Sequence, residues 1–184
     1  MGEQLVIGAA VLVAGVVIAI AFSFRGTFRR RAETPEFPAE AREVPERFTI
    51  IPDDYHAEHA GVANDGRMFF LTPLHEIDNE FLAIFYWKAD GSFDELVVEE
   101  FGPRDDLDKA AHKAARERMI STLGTTSSVP INVQPFAVEK FGATFGFVGR
   151  AAAPDDEDGI AAIELLPGNF MAYYWPWDGE GYDT

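Results

Sequence analysis

Phe81-Leu82-Ala83-Ile84-Phe85-Tyr86-Trp87 is a run in which both alternating sets of side chains are apolar or aromatic. In a β-strand successive side chains point to opposite faces, so Phe81, Ala83, Phe85 and Trp87 share one face and Leu82, Ile84 and Tyr86 the other. Such a strand needs cover on both sides and reads as the centre of a sheet. On its C-terminal side Asp90-Gly91 turns the chain into Phe93 to Phe101, where Leu96 and Val98 alternate with acids as in a half-exposed strand. On its N-terminal side Val62 and Met68 to Thr72 flank Asn64-Asp65-Gly66, a turn sequence suited to a hairpin.

Asp105 to Leu123 predicts a helix. Leu107, Ala111, Ala115, Met119 and Leu123 recur four apart, Asp105, Asp106 and Asp108 sit at its start, and Gly124 follows its end. Beyond it, Ile131 to Val138, Thr144 to Val148, Ile160 to Leu166 and Phe170 to Trp175 read as strands, with Pro135 placing its strand at an edge or a bulge. The expected fold class is α+β: a single N-terminal transmembrane helix, then a mostly antiparallel curved sheet with one main helix packed on it.

The transmembrane expectation comes from Leu5 to Phe24, twenty residues interrupted only by Gly8, Gly15 and Ser23. As a helix this stretch covers roughly 30 Å, the thickness of a bilayer's hydrocarbon core. Met1 to Gln4 lacks the basic residues of a signal peptide, so the span reads as a retained anchor. Arg25, Arg29, Arg30 and Arg31 all follow it. The positive-inside bias then places the N-terminus outside and the C-terminal domain in the cytoplasm, held at the cell membrane in a single pass. The same arginines, interleaved with Phe22, Phe24 and Phe28, form the expected membrane interface. Ala10 with Ala14 and Gly15 with Ala19 are small pairs through which spans could associate into a homo-oligomer. The span holds no charged residue of the kind that marks transport.

Three segments follow from this reading: residues 1–31 as span and arginine cluster, 32–47 as a Pro/Glu-rich linker, and 48–184 as an acidic domain. The chain has a net charge of −16, and residues 1–31 hold one acid and four arginines. The remaining thirty acids and eleven bases therefore give the rest about −19. That charge opposes nucleic acid and points to a protein partner of basic character. With no cysteine, disulfides, thiol catalysis and thiolate metal sites are excluded.

Asp53, Asp54, His56 and His59, within PDDYHAEH, are the residue types that hold a divalent cation, although their spacing fits no zinc signature. A metal-dependent enzyme using this region is one alternative reading. His75 and His112 stand alone, and PDDEDG at 154–159 lacks the ligand positions of a calcium loop. No dinucleotide loop, phosphate loop or nucleophile elbow occurs, so neither a cofactor nor catalysis is expected. Phe170, Tyr173, Tyr174, Trp175, Trp177 and Tyr182 crowd the C-terminal stretch. They read as a structural cap or as a recognition surface, and in the second case Trp177, Asp178, Tyr182 and Asp183 are the candidate binding residues.

The segments NDGRMFFLT, INVQPFAVEKFGATFGFV and IELLPGNFMAYYWPWDGEGYDT resemble a bacterial domain family common in actinobacteria. Its members end in a Pro-Trp-Asp-Gly…Tyr-Asp-Thr signature, here Pro176, Trp177, Asp178, Gly179, Tyr182, Asp183 and Thr184, and some carry the label formate hydrogenlyase regulatory protein. The resemblance spans most of Phe48 to Thr184, implies a regulatory role and transfers no catalytic residue. The function expected is that of a single-pass membrane-anchored protein presenting an acidic cytoplasmic interaction domain. An acidic immunity-type protein that blocks a basic toxin is a further alternative.

Overall fold

The computed structural model describes residues 37–76, 78–153, 159–168 and 171–184. Along them run β1 (Phe48–Ile50), β2 (Ala60–Val62), β3 (Met68–Glu76), β4 (Asn79–Trp87), β5 (Phe93–Glu100), α1 (Lys109–Leu123) and β6 (Ile131–Val133). After these come β7 (Phe136–Lys140), β8 (Ala143–Arg150), β9 (Ala162–Leu166), β10 (Ala172–Tyr173) and β11 (Tyr182–Asp183).

The two-faced run in β4 organises three layers. It lies inside an antiparallel sheet ordered β2-β3-β4-β5. Phe81, Ala83, Phe85 and Trp87, with Phe70 and Leu74 of β3, join Phe145, Phe147, Ile163, Leu165 and Tyr173 of a second sheet in the main core. That sheet, ordered β11-β10-β9-β8-β7, is also antiparallel. On the opposite face Leu82, Ile84 and Tyr86, with Phe69 and Leu71, meet Ala115, Met119 and Leu123 of α1. The small β1–β6 pair adds Phe48, Ile50, Ile131 and Val133 to the main core.

Both hairpin turns fall where their sequences place them. Val62 pairs with Met68 across Asn64-Asp65-Gly66, and β4 returns as β5 through Asp90-Gly91. The register of β4 and β5 shifts by one residue between Tyr86 and Trp87, a bulge that tightens the local twist.

The expected fold class is corrected on two counts. The domain is built mostly from antiparallel sheets with a single α-helix among the described residues, where one curved sheet under a helix was expected. Two apolar faces on β4 require two covering layers, and one helix covers only one of them. Pro135 has no amide proton and cannot continue a ladder. It therefore divides the Ile131 to Val138 run into β6 and β7, which belong to different sheets. The second correction concerns the membrane: among the described residues no helix is long and apolar enough to cross one. α1 has fifteen residues, about 22 Å of rise, and buries only the Ala115-Met119-Leu123 stripe. Residues 5–24 and Arg25, Arg29, Arg30 and Arg31, on which the span and its interface were read, lie outside the described residues.

α1 starts four residues later than its periodicity suggests. Arg104–Asp106 forms a short 3-10 turn, and Asp108 caps the helix by accepting from the amides of Ala110 and Ala111 at 2.9 and 3.0 Å. Replacing Asp108 with Ala removes that acceptor and is expected to cost about 1 kcal/mol in chemical denaturation. Within the stretch read as linker, Ala39–Arg42 forms a 3-10 turn with Ala41 fully buried. Its carbonyl accepts from the Ala161 amide at 2.7 Å, and the Arg42 guanidinium donates to the Gly159 carbonyl at 2.9 Å.

Candidate functional site

Three cavities of about 200, 260 and 460 Å³ share walls over the C-terminal half of β3. They exist because β2 pairs only with Met68 to Phe70, leaving Thr72 to Glu76 without a strand on that side. Pro73 falls on this open edge, where its missing amide proton removes one donor from a strand otherwise ready to pair. The middle cavity has an apolar floor of Leu74, Leu165 and Met171 and a rim of Tyr55, His56, His75, Glu80 and Arg104. Toward α1 the groove continues past His59, His112 and Arg116, and on the other side past Glu76 and Gly168.

The rim is shaped by the loop between β1 and β2. Asp53 Oδ1 accepts from the amides of Tyr55, His56 and Ala57 at 2.8, 2.7 and 2.8 Å, folding the loop tightly about one carboxylate. Its Oδ2 accepts from the Tyr182 hydroxyl. Burial alone would raise the Asp53 carboxyl, but the Tyr182 hydroxyl and the three amides outweigh it and hold the group down to about 2. The same bond pushes the Tyr182 phenol up to about 12. The loop then presents Tyr55 at 83% exposure, with the His56 ring 4.2 Å away.

His59 faces Arg116, whose guanidinium lies 2.6 Å from Nε2. Guanidinium only donates, so Nε2 is the acceptor and the ring is neutral with its proton on Nδ1. Burial and the Arg116 charge accordingly lower the His59 pKa, against an opposing contribution from Glu58. Glu58 also receives Arg116 at 2.9 Å. The four residues read as metal ligands are thus engaged separately: Asp53 bonds to loop and tail, His59 to Arg116, the His56 ring packs against Tyr55, and Asp54 is exposed to solvent. Among the described residues no group of three or more His, Cys, Asp or Glu side chains is placed to hold an ion.

The C-terminal candidates divide. Tyr182 lies in β11, stacks on Tyr173 at 5.7 Å and ties the tail to Asp53. Trp177 is half-buried against the main core, and its carbonyl accepts from the Thr49 amide at 2.9 Å. Gly179 has a φ of 92°, and a Cβ there would lie 2.7 Å from Ile51 Cγ1, so the tail turns in contact with the segment after β1. Asp178 and Asp183 are exposed, each accepting from a nearby amide, Glu180 and Thr184 respectively. The tail therefore holds the loop that carries Tyr55 and His56, joining two regions that the sequence offered as separate sites.

Sequence reasoning missed Glu80, Arg104 and the placement of His75. Glu80 is only 7% exposed and receives Arg104 Nε at 2.5 Å. His75 is its cross-strand partner. The available signal was a single charged residue directly before the apolar run of β4, across a two-residue turn from a histidine. Comparison with protein-family models, with curated proteins and with solved structures finds no match for this chain.

Proposed function

We propose that this chain is an acidic, non-catalytic binding domain that receives a basic protein partner in the groove over β3. The observation that carries the reading is Tyr55. It is the most exposed of the large hydrophobic side chains among the described residues, and its loop is held by four hydrogen bonds to Asp53 at the mouth of a cavity with an apolar floor. A rigidly mounted aromatic with a polar tip beside an apolar depression is the usual composition of an interaction hot spot. The net charge of −16 favours encounter with a basic surface and makes the association weaken as salt is added.

The test compares cellular proteins retained by the immobilised wild-type chain with those retained by Tyr55→Ala and by Val129→Ala. Val129 is also exposed but lines none of the three cavities. Tyr55→Ala is expected to leave stability within about 0.5 kcal/mol of wild type. It should lose a salt-sensitive basic protein that Val129→Ala keeps. Equal retention by both variants would contradict the groove as the binding surface.

A further inference from the structure

We infer that the cavities around Glu80 accept a guanidinium or primary ammonium group, carried by a basic side chain of the partner, and that Arg104 is the internal cation occupying the carboxylate in the free domain. The inference rests on the groove being the binding surface and specifies what enters it. Glu80 lines both the 260 Å³ and the 460 Å³ cavities while remaining 7% exposed. Burying a carboxylate is costly unless a cation or several donors face it. Its side-chain partner among the described residues is Arg104, which is itself 70% exposed. The anchored member of the pair is therefore the acid, and the arginine is the member free to swing into solvent.

Charge and shape select a cation over an anion. The larger cavity carries Glu76 and Glu80 against Arg104, an excess of one negative charge with histidine left aside. An anion could meet only the outer amino groups of Arg104, whose Nε is held by Glu80, and would face the negative charge of Glu76 and Glu80. A cation instead offers Glu80 a second or replacement partner. Leu74, Leu165 and Met171 supply an apolar bed for an aliphatic stem, the part of lysine and arginine that buries readily beneath a charged head. The middle cavity, at about 260 Å³, lies below the range of roughly 300 Å³ upward that holds drug-sized ligands. It suits one side chain.

The test titrates the full chain with n-butylguanidinium, and separately with n-butyrate, following the methyl resonances of Leu74, Leu165 and Met171. Saturable shifts with n-butylguanidinium and none with n-butyrate are expected for wild type. Glu80→Gln keeps the shape and an acceptor for Arg104 but should weaken n-butylguanidinium by about tenfold or more. Arg104→Ala, which unmasks the carboxylate, should tighten it by about tenfold. If Arg104→Ala does not fold, the wild-type and Glu80→Gln titrations decide alone. Equal binding by Glu80→Gln and wild type, or a stronger response to n-butyrate, would overturn the inference. Persistence of Tyr55-dependent capture alongside that result would leave the groove reading standing and remove the cation site only.

Discussion

Phe147→Ala is expected to destabilise the domain by about 4 kcal/mol, the largest effect of any substitution considered. Phe147 is fully buried on β8, and its ring lies 5.2 Å from Phe48, 5.5 Å from Phe70, 5.7 Å from Phe85, 5.8 Å from Trp87 and 6.0 Å from Tyr173. Those five rings come from all three sheets, so one side chain joins β1, the β3–β4 face and the β8–β10 face. Removing it forfeits the transfer energy of an aromatic ring and leaves a cavity that large, mutually wedged neighbours cannot close. Because domains of this size are stable by roughly 5 to 15 kcal/mol, the variant sits near the limit of folding. Urea unfolding measures the effect through its midpoint at constant slope. Phe141→Ala is the control. Phe141 is 46% exposed, and its truncation is expected to cost under about 1 kcal/mol. Equal small losses at both positions would mean that the two main sheets do not share the Phe147 core.

The second large effect is expected at Asp53. Asp53→Ala removes the acceptor for three amides and for the Tyr182 hydroxyl. A loss of about 2 kcal/mol is expected, since several donors are left unpaired but water reaches part of the site. Its pH dependence identifies the cause. The folded carboxyl sits at about 2 against an ordinary value of 3.8. Its contribution is therefore complete above about pH 4 and is lost as pH falls through 2. Tyr182 carries the opposite sign: a phenol raised from 10 to about 12 contributes below pH 10 and loses its contribution as pH rises through 12. These are two views of one bond and count once. The stability difference between wild type and Asp53→Ala should be constant from pH 5 to 9 and shrink at both extremes. A difference that persists unchanged below about pH 2 would show that the carboxylate charge is not what holds the loop.

The most legible parts of the fold are those encoded in short stretches. The two-faced β4 run, the Asn-Asp-Gly and Asp-Gly turns, and the Ala115-Met119-Leu123 stripe ending at Gly124 all specify their structure within a few residues, and each appears where its pattern places it. The second sheet was less legible as a separate layer. β7, β8 and β9 were readable as strands, but which face of β4 they would cover depends on contacts distant in the chain, such as those of Phe85 with Phe136 and Phe147, which periodicity does not encode. Pro135 marked a break without saying that the halves part into different sheets. β11 was hidden because Tyr182 and Asp183 form a two-residue strand inside a Gly-rich tail, too short for an alternating signal.

The site follows the same division. Asp53, His56 and His59 attracted notice as a local cluster of polar types, yet Asp53 also bonds to the distant Tyr182 and His59 to the distant Arg116, while the His56 ring only packs against Tyr55. Tyr55 was passed over because exposure is a property of the folded loop. Glu80 and Arg104 are 24 residues apart and meet only after β5 has returned the chain beside β4. The aromatic tail stood out by composition, and its Tyr182 bonds to Asp53 in the loop at the rim of the cavities.

The groove reading is tested most directly by placing a photo-reactive benzoylphenylalanine at position 55 in the full chain, with position 129 as the control, and identifying by mass spectrometry what each captures in cells. A basic protein cross-linked at position 55 and absent at position 129, with a yield that falls as salt is raised, is the predicted result. Equal capture at both positions, capture of an acidic protein, or no adduct at position 55 would contradict it.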